Sequence, residues 1–128
     1  KIVNSGCANK LTPAEIAAYD APYPSSRHLV AARLFPGFVP TTPKDPERAA
    51  NEQAWEVLKQ WNKPFLTLFS SRDPITRGGE KIFQKLVPGA AGQPHEPTRG
   101  AGHFLQEDKG PELAQKISAF IATTPVTP

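Results

Sequence analysis

Fifteen prolines punctuate this 128-residue chain, and their placement limits every helix in it. Proline fixes φ and removes a backbone donor, so helices begin at it or end before it. At about 12% of residues, roughly twice the usual share, it excludes long unbroken helices. No apolar run approaches the ~20 residues of a membrane span, so no membrane partner is expected. Leucine, isoleucine, valine and phenylalanine together make about 22% of the chain, only just above the level of disordered sequence. That is thin for a complete core and predicts part of something larger, in keeping with a start at Lys1 and no methionine.

Charge and cysteine exclude further classes. A net charge of +3 is spread along the chain, without the basic stripe and interleaved aromatics of a nucleic-acid binder. The single cysteine, Cys7, forms no internal disulfide, so no oxidising compartment is required. No run reads as a signal peptide, and a cytoplasmic location is the expectation. With Cys7, His28, His95 and His103 alone, no zinc-type ligand spacing exists, and no metal is expected.

Two regions differ in grammar. Residues 1–42 carry two short helical patterns between proline-rich joints. Thr12-Pro13-Ala14-Glu15 is a capping box with proline at the first helical position, opening a helix to about Tyr19. A second helix, capped by Ser25 or Ser26, runs to Phe35, where Pro36-Gly37 is expected to stop it. From residue 43 onward the pattern alternates. A helix opens at Asp45-Pro46 and runs to about Trp61, with Ala54, Trp55, Leu58 and Trp61 along one face. Residues 64–70, Pro-Phe-Leu-Thr-Leu-Phe-Ser, suit a parallel strand buried on both faces. A helix is expected from about Thr76 to Leu86, a weaker strand at 94–99, and a last helix from Gly110-Pro111. This alternation is the order of a doubly wound parallel sheet, but two strands are too few to stand alone. The missing strands must come from elsewhere.

In open α/β sheets functional groups gather beyond the carboxyl ends of strands. Asp73 follows the first strand candidate and His103, within Gly100-Ala101-Gly102-His103-Phe104, follows the second. A carboxylate there can fix the tautomer of an imidazole that acts as base. Asp73-Pro74 is equally a helix N-cap, and His103 equally a loop histidine. His28 and His95 have no comparable setting. Ser5-Gly6-Cys7-Ala8-Asn9 loosely fits a nucleophile elbow, but only Lys1-Ile2-Val3 and Asn4 precede it, too few for the strand an elbow needs. Cys7 therefore reads as a packing thiol, and the nucleophile lies outside this chain. Glu107 and Asp108 fall near a helix N-terminus, where negative charge is favoured.

Asp73-Pro74-Ile75-Thr76-Arg77-Gly78-Gly79 and Gly100 to Asp108 resemble the C-terminal part of haloalkane dehalogenases. Leu11 to Glu15, Tyr19-Asp20-Ala21-Pro22 and Arg33-Leu34-Phe35-Pro36 resemble the end of that family's helical cap. The resemblance implies the C-terminal part of an α/β-hydrolase: a cap remnant at 1–42, then the last two strands and flanking helices at 43–128. It implies hydrolysis of a small halogenated alkane by water through an aspartyl-alkyl ester, without metal or organic cofactor. His103 resembles the base and Asp73 the acid. Phe35, Pro36 and Val39, with Ile75 and Phe104, resemble walls of the substrate pocket. The nucleophilic aspartate, a halide-binding tryptophan and the oxyanion hole would lie in a complementary N-terminal portion. Trp55 and Trp61 belong to a helical stripe and do not replace that tryptophan. Epoxide hydrolases share this grammar and differ in cap tyrosines, a role that the Tyr19-Asp20-Ala21-Pro22 context argues against. A catalytically inert fragment or interaction module is the alternative of another class.

Overall fold

The computed structural model describes residues 2–124. Six α-helices occur among them: α1 (Ile2–Gly6), α2 (Pro13–Asp20), α3 (Val30–Leu34), α4 (Arg48–Leu58), α5 (Glu80–Leu86) and α6 (Leu105–Thr123). The chain forms two compact units, one of residues 12–58 and the other of residues 1–11 with 59–128.

In the 12–58 unit, α2 carries the expected capping box. Thr12 accepts the Glu15 amide, and the Glu15 carboxylate accepts the Thr12 amide in return. The second helical pattern is shorter than expected. It divides into a 3-10 turn at Ser26–Leu29, α3, and a further 3-10 turn at Phe35–Phe38. Pro36 does not stop the winding, because a first-turn proline gives up an amide that has no partner there anyway. The α4 face is only half covered, and no residue of 12–58 is buried.

The other unit holds every buried residue among those described: Thr67, Ser70, Asp73, Val87, Gly89, Ala90, Thr98, Ala101, Gly102 and Leu113. The sequence predicts paired strands at 64–70 and 94–99; the described residues show contact between these segments but no strand. Among the described residues the pairing is one parallel bridge, Ser70 with Thr98. The Thr98 amide donates to Phe69 O (2.8 Å) and the Ser71 amide to Thr98 O (3.1 Å). Upstream, the Thr67 amide donates not to backbone but to His95 Nδ1 (3.1 Å). Where the ladder would continue, Pro94 has no amide to donate, and the His95 imidazole takes the place of a carbonyl. Two lone extended segments are also short of the neighbours a parallel sheet needs.

Two helix starts differ as well. α5 begins at Glu80 rather than Thr76, since residues 73–79 are occupied by turns. α6 begins at Leu105 and is interrupted at Lys109 (φ −142°), one residue before Gly110-Pro111. Leu113 is buried, whereas Ile117 and Ile121 of the same expected stripe are exposed, as is Ile82 of α5. The doubly wound layering that would cover them is absent among the described residues. None of the described helices is long and apolar enough to cross a membrane.

Candidate active site

Asp73 lies three residues past the Ser70 bridge and His103 five past Thr98, so pairing of the two extended segments brings their following loops together. The Arg72 amide donates to Ala101 O (3.3 Å), and the Ser70 hydroxyl donates to the same carbonyl. Gly100 makes the turn between the segment and the histidine loop at φ +76°, a conformation costly for other residues.

His103 Nδ1 stands 3.1 Å from both carboxylate oxygens of Asp73. A carboxylate only accepts, so Nδ1 carries a proton, and in the neutral ring Nε2 then keeps its lone pair. Asp73 also accepts the Ile75 amide (2.8 Å) and the Thr76 hydroxyl. It is 2% exposed. Burial alone would raise its pKa. The Thr76 hydroxyl, the Ile75 amide and His103 outweigh burial and hold the carboxyl at about 2. Asp73 is therefore an anion across the ordinary pH range. The His103 side chain is 33% exposed, so water reaches a ring whose other nitrogen is held. Phe104 stands edge-on to it, ring centroids 5.0 Å apart.

The remaining candidate residues divide between the units. Ile75 gives its amide to Asp73 while its side chain is 73% exposed. Phe35 and Val39 are exposed in the 12–58 unit, with Pro36 inside the 3-10 turn that sets the Phe35 and Phe38 rings 6.4 Å apart. Cys7 donates its thiol to Val3 O (3.2 Å) at the end of α1. His28 bonds to Ser25 (3.0 Å). His95 accepts from Thr67 and faces Ala90 O at 2.8 Å, a structural role. Among the described residues no group of three or more His, Cys, Asp or Glu could hold a metal.

Two contributors escaped the sequence. Thr76 sits three residues after Asp73, a spacing typical of side chains that bond locally in turns, and that signal was available. From sequence, Asp108 offers only a charge near a helix N-terminus. Its carboxylate instead accepts the amides of Ala8, Asn9 and Gly102 (each 2.8 Å) and the Asn9 side chain (3.1 Å). Burial raises its pKa, but these donors prevail and lower it. No local pattern could have linked residues a hundred positions apart.

No family model matches the chain. Curated relatives do. It is 47% identical to a haloalkane dehalogenase of Psychrobacter cryohalolentis, over 96% of this chain and 41% of that protein. Identity is 48% to a haloalkane dehalogenase of Mycobacterium marinum, over 94% of this chain and 40% of the relative. Against haloalkane dehalogenase 1 of Mycobacterium tuberculosis it is 44%, over 97% of this chain and 41% of the relative. The chain thus spans about two fifths of the length of the relatives it matches. It is homologous to the haloalkane dehalogenases along nearly its whole length and corresponds to their C-terminal portion.

Proposed function

We propose that this chain supplies the acid, the base and part of the cap of a hydrolytic haloalkane dehalogenase of α/β-hydrolase fold. The observation that carries the reading is His103 Nδ1 bonded to both oxygens of a buried, anionic Asp73, in a chain this similar to named dehalogenases. The complementary N-terminal portion contributes the remaining strands and an aspartate nucleophile. Its carboxylate oxygen bonds to the halogen-bearing carbon, and halide departs with the electron pair. Water then adds to the ester carbonyl carbon as its proton passes to His103 Nε2. The acyl–oxygen bond breaks, the proton returns to the alkoxide, alcohol leaves, and the regenerated carboxyl releases the other water proton to solvent. Asp73 holds the Nδ1 proton throughout and stabilises the imidazolium formed in between.

Residues 1–42 act in this reading as the end of the cap and 43–128 as the end of the hydrolase core. Phe35, Pro36, Val39, Ile75 and Phe104 provide apolar wall for the alkyl chain, which favours transfer from water to such surroundings.

The test joins this chain to the front portion of a close relative and follows halide release from 1-haloalkanes and 1,2-dihaloalkanes. His103→Gln should allow halide release to the extent of one equivalent, with the alkyl ester accumulating on the protein. Multiple turnover should fall by roughly 10²–10⁴-fold. Hydrolysis of epoxides without any of haloalkanes would overturn the assignment, and normal turnover by His103→Gln would remove His103 from it.

A further inference from the structure

We propose that Asp108 is the positioning residue of the His103 loop, clasping the loop to residues 6–9 so that the imidazole is delivered to Asp73. The inference rests on the reading of His103 as base and extends it to a residue that touches neither substrate nor imidazole. Three restraints converge on His103. Its ring bonds to Asp73, its amide donates to Gly6 O (2.7 Å), and the amide just before it, on Gly102, donates to Asp108 Oδ2 (2.8 Å). The same Oδ2 accepts Ala8 (2.8 Å), while Oδ1 accepts the Asn9 amide (2.8 Å) and side chain (3.1 Å). By fixing 8–9, Asp108 also sets where the Gly6 carbonyl stands, and so governs two of the three restraints.

Shape agrees with this. A Cβ on Gly102 would run into Gly6 O and the Ala8 amide, and one on Gly6 would come 2.7 Å from the Phe104 ring. The two backbones meet at a distance that only glycine permits, and such contact has value only if something holds them together. A carboxylate suits the task because it accepts at both oxygens and donates nothing. An asparagine would turn an NH2 group toward at least one amide donor. A simple charge at the start of α6 would act on that helix alone, whereas the clasp also fixes the amides of residues 8, 9 and 102.

The test uses the joined, full-length protein with rapid quenching and intact-mass measurement on a 1-haloalkane. In Asp108→Asn the alkyl ester should form at a rate within about threefold of the parent. Its hydrolysis should slow by about tenfold to a hundredfold, the scale of small misplacements of a reacting group, so the ester accumulates. Loss of folded protein alone would lower both steps together. Hydrolysis at the parent rate, or equal loss in both steps, overturns the proposal. Amide hydrogen exchange on the same protein decides independently of chemistry. Peptides covering 101–104 should exchange at least about tenfold faster in Asp108→Asn, and unchanged protection there overturns the clasp. If the parent protein forms no ester, the dehalogenase reading fails while the exchange result still decides the role of Asp108.

Discussion

The two units of this chain are built by different means. In residues 12–58 the turns are held by hydrogen bonds between residues two to four apart: Thr12 with Glu15 and Ile16, Ser25 with His28, Thr42 with Asp45, Arg48 with Glu52. No residue there is buried. In the other unit the decisive bonds span 28 residues (Thr67–His95), 30 (Asp73–His103) and 100 (Ala8–Asp108). The buried residues are all there as well. Local capping and helix periodicity are enough to wind a helix, but a chemical pair needs distant segments fixed to each other.

The largest expected effect comes from cutting one long-range bond. Asp73→Ala leaves the Ile75 amide, the Thr76 hydroxyl and His103 Nδ1 without their acceptor at a position 2% exposed. Each donor stranded without its acceptor at a buried site costs about 1–3 kcal/mol, so the loss should reach about 3 kcal/mol. Urea unfolding should show this loss, while amides of 13–20 keep their parent exchange rates. A cost under about 1 kcal/mol, or matching loss of protection in α2, would break the contrast between the units.

Acid should find the same difference. The Asp73 carboxyl is held at about 2, burial being outweighed by Thr76, Ile75 and His103. A depressed carboxyl stabilises the fold above the ordinary aspartate range and loses that contribution as pH falls through its folded value. The window is therefore about pH 4 down to about pH 2, and the depression corresponds to about 2 kcal/mol. Asp108 is lowered too and adds in the same direction. Asp73→Asn cannot titrate, so the stability gap between parent and variant should narrow by about 2 kcal/mol from pH 5 to pH 2. A constant gap would show that Asp73 does not carry the charge-dependent part.

What could be read from sequence follows the same division. The α2 capping box was legible because Thr12 and Glu15 are three residues apart. The run at 64–70 was legible as extended backbone, but its pairing was not. That depended on His95 intercepting the Thr67 amide and on the proline at 94 in the facing segment. The start of α5 was misplaced because Asp73 binds the Ile75 amide and the Thr76 hydroxyl in a turn of their own. Asp73 is not a helix N-cap, since α5 begins at Glu80 after Gly79; its carboxylate has lone pairs for both a local turn and His103. Placement after successive extended segments was enough to single out Asp73 and His103. Asp108 stayed hidden because Ala8 and Asn9 reach it only once the chain has folded.

The smallest effect belongs to the locally built unit. Thr12→Ala removes the hydroxyl that accepts the Glu15 amide (3.3 Å) and donates to the Glu15 carboxylate (2.8 Å), leaving the Thr12 amide still bonded to Glu15 (2.7 Å). The amide-to-hydroxyl bond lies beyond the usual distance range, so the cost should be about 1 kcal/mol or less. A helix of 8 residues with no buried side chain gains little from packing and is marginal by itself. That cost should appear as roughly fivefold faster amide exchange confined to 13–20. Exchange at 101–104 and the pH dependence assigned to Asp73 should match the parent, because no bond of the Asp73–His103 pair passes through Thr12. If Thr12→Ala instead loosened the histidine loop, the two units would share a cooperative fold and the division between local and long-range construction would not hold.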